Sequence, residues 1–194
     1  MTETESHIVA IATETRRRFD EGDQLFTAER HKLDLDFALN PENYVGSANR
    51  VHSESTLQTY VDQLVLEKQY YEQTMGSFCN SLRETLSLDP EAFEHYSQKA
   101  LPAAFSGYEL RLKINFHKKE AIEKSLELIK LFEQLDNLSI AFTPHQAEQL
   151  HGQIDQLDGD IGYHLSEQER LGYQQKETTN KGDSQLFDLL KNLM

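Results

Sequence analysis

The chain has 194 residues and a formal net charge of −14, so it is long enough for one domain with a core of its own. A surface of that sign repels phosphate groups, which argues against nucleic acid and anionic membranes as partners and favours a positively charged protein surface. The single cysteine, Cys79, excludes an internal disulfide and a cysteine-based zinc cluster. Because the chain has neither a signal-peptide pattern nor an apolar run long enough to cross a membrane, we predict a cytoplasmic protein.

Apolar residues recur every three or four positions through most of the chain, a spacing typical of amphipathic helices and coiled-coil seams. The first such run predicts a helix over about 5–38, and the second predicts one over 55–87. The pattern from Ser55 to Gln58 fits a capping box, in which the two side chains satisfy free amides at a helix start. The polar residues 40–53 before it predict a loop.

The second half of the chain predicts further helices, two of which begin at prolines. Pro90 and Pro144 suit the first turn of a helix, where a missing N–H costs nothing. They mark predicted helices over 90–101 and 143–177, with a long helix over 103–136 between them. The sequence therefore predicts an all-α fold: an elongated antiparallel bundle of about four long helices with coiled-coil character, plus a short C-terminal helix.

One segment fits a second interpretation. From Tyr108 to Phe116, apolar and polar residues alternate strictly, which is the pattern of a β-strand. As a helix, the same segment places apolar side chains on two opposite sides and suits a position between two neighbours. We favour a helix because strong helix formers follow without a break from Lys118 to Glu133, and a minor strand at 108–116 is the alternative.

Ligand-type residues cluster on the late helix. Glu148, His151 and Asp155 share one side of it, shortly after His145. Carboxylate-bridged di-metal bundles need the Glu-x-x-His element twice, and this chain has it once. The group also points away from the apolar seam, so we predict a solvent-facing polar surface and no bound metal or cofactor.

Asp160 and His164 lie four residues apart, which is the spacing of a carboxylate that orients a general base. No nucleophile is near them in the sequence, so we expect a hydrogen bond on the helix surface and no catalytic residue. Cys79 lies beside Phe78 on the second apolar seam and is predicted to pack. The basic run at 16–18 is predicted to pair with neighbouring carboxylates.

Four glycines interrupt the late helix, at Gly152, Gly159, Gly162 and Gly172. Each costs roughly 1 kcal/mol relative to alanine inside a helix. Either they allow another helix to approach closely, which is the usual reason and our expectation, or this helix is marginal until a partner binds.

The C-terminal part predicts a separate element. We divide the chain into a bundle over 1–177, a polar linker over 178–183 and an amphipathic helix over 184–194. Such a helix is too short to be stable alone, so it must dock, either on its own bundle or in a groove of another protein. The residues predicted to contact a partner are Leu186, Phe187, Leu189, Leu190, Leu193 and Met194.

In outline, this acidic helical body with its polar linker and short terminal helix resembles the chemotaxis phosphatase that acts on a phosphorylated response regulator. That family uses an Asp and a Gln four residues later, and Asp20 and Gln24 are the one match at that spacing. The resemblance covers the tail and these residues, and it implies a regulator of a signalling partner. Small helical chaperones of bacterial secretion and flagellar export have a similar outline.

We therefore predict a non-catalytic protein–protein interaction module: an adaptor, chaperone or assembly factor whose partner has a basic or groove-bearing surface. A response-regulator phosphatase is the alternative, and a metal-dependent helical-bundle enzyme is a minority alternative. The seams are also those of coiled-coil dimers, which leaves a homodimer open.

Overall fold

The computed structural model describes residues 3–87, 90–137 and 144–193 of the chain. Within these ranges the fold is all-α, as predicted, with no strand. Its α-helices are α1 (Glu3–Arg30), α2 (Leu35–Ala38), α3 (Ser47–Leu86), α4 (Pro90–Asp136) and α5 (Pro144–Leu193), with a 3₁₀ helix at Pro41–Tyr44. Side chains are not described at 5, 90–106, 144, 147 and 178–193.

The segment 108–116 lies inside α4, so its interpretation as a strand is wrong. Ile114 and Asn115 are buried, and the side-chain amide of Asn115 donates to the backbone oxygen of Leu64 at 2.9 Å. Phe116 lies on another side of the helix and is 53% exposed. The alternating pattern therefore reflects a helix with apolar residues on more than one side.

The predicted start of α3 is wrong. The helix begins at Ser47, so residues 55–58 lie within it and do not form a capping box. Gly46 precedes the helix with φ of +155°, a conformation that favours glycine and lets the chain turn into α3. Arg50 and Ser53, predicted as loop residues, are buried in the first turns of α3.

Other predicted boundaries also differ from the structure. α1 ends at Arg30, and the short α2 starts after Asp34, whose side chain accepts a hydrogen bond from the Phe37 amide at 3.3 Å. α4 is one helix through position 102, where a break was predicted. α5 continues as helix through 178–183, where the sequence predicts a linker, and the division into domains stays a prediction.

The chain divides into two compact units, and both take segments from α1, α3, α4 and α5. Unit 1 contains Met1–Leu25, Glu67–Ile114 and Arg170–Met194, and unit 2 contains Phe26–Leu66 and Asn115–Glu169. No helix in the described part of the chain has an apolar stretch sufficient to cross a membrane.

Unit 1 has an apolar core joined to a charged network. Its buried core residues are Ile8, Phe19, Tyr71, Met75, Phe78, Leu82 and Leu86. Beside them, Arg111 donates to both carboxylate oxygens of Asp23, from Nε at 3.3 Å and Nη2 at 2.7 Å. The Tyr71 hydroxyl also donates to Asp23 and lies 3.3 Å from a carboxylate oxygen of Glu67. α1, α3 and α4 are therefore joined through one polar group.

Unit 2 has an apolar core built mainly by α3 and α4 and covered by α5. The buried residues are Ala38, Tyr44, Leu57, Tyr60, Val61, Leu64, Ile122, Leu128 and Ile129. Arg50, early in α3, pairs with Asp136 at the end of α4, whereas Leu64, later in α3, contacts Asn115. α3 and α4 are therefore antiparallel here, and Ile154, Leu157 and Ile161 of α5 pack against them.

Candidate functional site

Four aromatic side chains from α4 and α5 meet in unit 2, and we call them the ring cluster: Phe116, His117, Tyr163 and His164. His117 of α4 lies beside His164 of α5, and Lys124 lies beside Asp160, so the two helices run antiparallel. Each helix contributes an aromatic residue followed by a histidine. The ring centroids of His117 and His164 are 5.2 Å apart, and their Nδ1 atoms are 3.0 Å apart. Phe116 packs edge-on to His164 at 6.3 Å, and Tyr163 packs edge-on to His117 at 6.2 Å.

The aromatic residues of the cluster are largely in contact with solvent. Phe116 is 53% exposed and Tyr163 is 59% exposed. The two histidines between them are partly buried. The cluster therefore combines two exposed rings with two partly buried imidazoles.

The contact between the imidazoles fixes their protonation pattern. One Nδ1 must carry hydrogen and donate, while the other Nδ1 must be unprotonated and accept. A state with hydrogen on both Nδ1 atoms would set donor against donor. His117 and His164 are therefore joined as one donor and one acceptor.

One side of α5 in unit 2 faces solvent and carries small residues around Tyr163. We call this side the outer face, and its residues are Gly152, Gly159, Gly162, Tyr163 and Ser166. These positions fall within about 100° of one another on a helix and are all exposed. A Cβ added at any of the three glycines, or at Gly172, would meet nothing within 4 Å. The expectation that the glycines allow close packing within the chain is therefore wrong.

The α5 segment of unit 2 is strongly acidic. Residues 144–169 contain no lysine and no arginine. They contain six carboxylates, at Glu148, Asp155, Asp158, Asp160, Glu167 and Glu169. Asp160 pairs with Lys124 of α4 at 3.3 Å, whereas Asp155 and Asp158 are exposed. The negative charge of this α5 segment attracts cationic groups.

The candidate metal ligands predicted on the late helix lie on the surface of α5. His145, Glu148, His151 and Asp155 are all exposed. Within the described residues, no group of three or more histidine, cysteine or carboxylate side chains is arranged to hold a metal ion.

Asp160 and His164 were predicted to pair with each other, but each contacts a residue of α4 instead. Asp160 binds Lys124, and His164 contacts His117, so both partners come from α4. Cys79 is partly buried against the core of unit 1, which confirms its predicted role in packing.

The basic run on α1 pairs with neighbouring carboxylates, as predicted. Arg17 binds Glu14 and Glu21, and Arg18 binds Glu14 at 2.9 Å. Hydrogen bonds from the two arginines lower the pKa of Glu14 to about 2. Arg16 lies 3.8 Å from Asp20, the first residue of the Asp-to-Gln match, and Gln24 is exposed on the next turn.

The six predicted partner-binding residues of the C-terminal helix, from Leu186 to Met194, have side chains outside the described set, so their role stays a prediction. Sequence reasoning missed the ring cluster. A signal was present in the dipeptides at 116–117 and 163–164, each an aromatic residue followed by histidine. The two dipeptides come together only because α4 and α5 are antiparallel and aligned at these positions.

The chain matches no protein-family model, and no curated protein or solved structure is significantly similar to it.

Proposed function

We propose that this chain is a non-catalytic protein-interaction module, an adaptor, chaperone or assembly factor, and that it binds a basic partner protein through unit 2. The observation that carries the proposal is the exposure of Phe116 and Tyr163, which lie on adjacent helices and pack on the same pair of imidazoles. Aromatic rings bury large areas with little loss of side-chain freedom, so they are the side chains that most often anchor an interface.

The charge of the surroundings selects the partner. The chain carries a formal charge of −14, and the α5 segment that contributes Tyr163 and His164 to the ring cluster has no lysine and no arginine. A partner surface with an apolar centre and a rim of lysine or arginine complements both features. Opposite charges on such rims raise the association rate and suppress wrong partners more than they add to affinity.

The outer face gives the partner room to approach. At Gly152, Gly159 and Gly162 no neighbouring atom occupies the space that a Cβ would fill. A helix or loop of the partner can therefore contact the α5 backbone beside the Tyr163 ring. The C-terminal residues 184–194 supply a second contact in this proposal, because an amphipathic helix of that length requires a surface on which to dock.

The proposal is tested by placing a bulky side chain on the outer face without disturbing the fold. Gly159→Leu adds a side chain one turn before Tyr163, where the structure leaves open space. Gly76→Leu is the matched control, because Gly76 is an exposed glycine within α3 of unit 1 and also has nothing within 4 Å. Both variants should fold, since leucine is a better helix former than glycine.

Tagged full-length proteins are used to capture partners from lysate, and recovery is quantified by mass spectrometry. We expect at least a tenfold lower recovery of a basic partner with Gly159→Leu and with the Phe116→Ala/Tyr163→Ala double variant, which corresponds to about 1.4 kcal/mol. Gly76→Leu should recover it like the wild type. Equal recovery by all four proteins would rule out this surface.

A truncation of residues 183–194 in the same capture tests the second contact. If the truncated chain recovers the same partners and melts several degrees lower, the C-terminal helix belongs to the core of the protein and the proposal loses that contact.

A further inference from the structure

The two histidines of the ring cluster have the spacing of metal ligands. Their Nδ1 atoms are 3.0 Å apart. A metal–imidazole bond of about 2.0–2.1 Å places two nitrogens about 2.9 Å apart at a right angle and about 3.4 Å apart at a tetrahedral angle. The observed separation lies between these values. We propose that His117 and His164 form a two-imidazole chelate for a late first-row divalent cation, with Cu²⁺ held most tightly.

The two ligands are already placed for such a chelate. One comes from α4 and the other from α5 of the same unit, so helical backbone fixes both positions. The ring planes are inclined by 44°. For both Nδ1 atoms to bind the cation, the ring that donates must carry its hydrogen on Nε2 instead of Nδ1, and a rotation of each ring then turns its Nδ1 electron pair toward a common point. Little ordering is then required when the cation binds.

The aromatic rings of the cluster limit the access of water to the imidazoles. The rings of Phe116 and Tyr163 flank the imidazoles and cover part of them from solvent. An apolar shell around a metal site controls its access to water. Imidazole nitrogen suits copper, nickel and zinc, and affinities of divalent ions rise to a maximum at Cu²⁺ and fall again at Zn²⁺.

The chelate leaves coordination positions open. No third ligand is placed beside the pair within the described residues, and the carboxylate one turn away, Asp160, is bound to Lys124. Water or a donor atom from a bound molecule completes the coordination sphere. The inference does not depend on the proposed function, because it needs only the two imidazoles.

The first experiment titrates metal-free full-length protein with Cu²⁺ and with Zn²⁺ by calorimetry. We expect one site per chain that binds Cu²⁺ more tightly than Zn²⁺. In His117→Gln and in His164→Gln the Cu²⁺ affinity should fall at least about tenfold, since each variant removes one of two ligands. His145→Gln and His151→Gln are matched controls on the exposed surface of α5 and should retain the wild-type affinity.

The second experiment uses the unaltered protein, so it does not depend on how the variants fold. Substoichiometric Cu²⁺ is added while the ring resonances of the eight histidines are followed by NMR. The signals of His117 and His164 should broaden first, together with those of Phe116 and Tyr163. Earlier broadening at other imidazoles, or an affinity that both glutamine variants leave unchanged, would show that binding is adventitious and overturn the proposal.

Discussion

Units 1 and 2 each bury an arginine, but they use it differently. In unit 1, the Arg111 side chain is 13% exposed, binds both oxygens of Asp23 and lies over the rings of Phe19 at 5.0 Å and Tyr71 at 5.9 Å. In unit 2, Arg50 binds Asp136 through Nη2, and its buried Nη1 has no hydrogen-bond partner among the residues that the structure describes. A buried guanidinium stabilises a fold only to the extent that its N–H groups have hydrogen-bond acceptors.

Gly22 of unit 1 and the glycines of the outer face in unit 2 differ in what surrounds them. In unit 1, a Cβ on Gly22 would lie 2.5 Å from an atom of the Tyr70 ring, so the missing side chain is what allows Tyr70 to cross α1 and donate to the Arg18 oxygen. In unit 2, the glycines of the outer face touch nothing. Gly22 is thus needed for an internal contact, whereas the glycines of the outer face, like Gly76 of unit 1, leave space at the surface.

The largest effect is expected from Arg111→Met. This variant leaves Asp23 without the guanidinium that binds both of its oxygens and removes the contact with the Phe19 ring. We expect a loss of about 2–3 kcal/mol in the free energy of unfolding, less than for a fully buried pair because the Asp23 side chain is 39% exposed. Urea unfolding measures the loss, and adding Asp23→Asn should restore part of it.

Arg50→Met is the companion variant and sharpens the contrast. Methionine removes one ion pair with the 51% exposed Asp136 and also removes the buried Nη1, which has no partner within the described ranges, so the two effects oppose each other. We expect a change within about 1 kcal/mol. A loss as large as that of Arg111→Met would contradict the distinction drawn between the two arginines.

Alkaline pH tests the apolar core of unit 2 through Tyr44. Burial raises the pKa of its hydroxyl from 10.0 to about 12, although hydrogen bonding with Ser125 lowers it. The folded state therefore holds this proton more tightly than the unfolded state. The resulting stability is complete below pH 10 and is lost as the pH rises through about 12, to the extent of about 2–3 kcal/mol.

Tyr44→Phe should remove this loss. At pH 8 the variant should be less stable by about 1 kcal/mol, because Tyr44 no longer donates to the Ala38 oxygen. Near pH 12 the order should reverse, which urea unfolding at both pH values would show. Tyr173→Phe, which changes an exposed side chain, should follow the wild type. Parallel pH profiles for Tyr44→Phe and the wild type would refute the prediction.

The smallest effects on the free energy of unfolding are expected when alanine replaces Gly22 or Gly159, and the two effects should have opposite signs. Gly22→Ala forces the Tyr70 ring away from α1 and should lower the free energy of unfolding by about 1–2 kcal/mol. Gly159→Ala meets no neighbour and should raise it by about 0.5–1 kcal/mol, since alanine is the better helix former. Thermal melting would detect both, and a matching sign would break the comparison between the units.

The helical fold was predictable because burial follows the spacing of apolar residues within each helix. Leu57, Val61 and Leu64 of the second seam are all buried, as the pattern indicates. The start of α3 was not predictable in this way. Arg50 is polar, and it is buried through a partner 86 residues away that no local pattern reveals.

The site depended on register between helices. Reasoning along one helix paired His164 with Asp160, four residues before it, whereas its contact is His117 on α4. Periodicity shows which side of a helix is apolar, but it does not align α4 with α5. The glycines illustrate the same limit, since their spacing is compatible with a packed face and with an open one.

The absence of lysine and arginine from residues 144–169 decides which chemical methods can observe this surface. Trypsin has no cleavage site between Lys130 and Arg170, so residues 131–170 leave a digest as one long peptide. Cross-linkers that react with amines pass over the outer face entirely. A carbodiimide that joins its carboxylates to lysines of a bound protein, followed by cleavage at acidic residues, would record the contact and its position along α5.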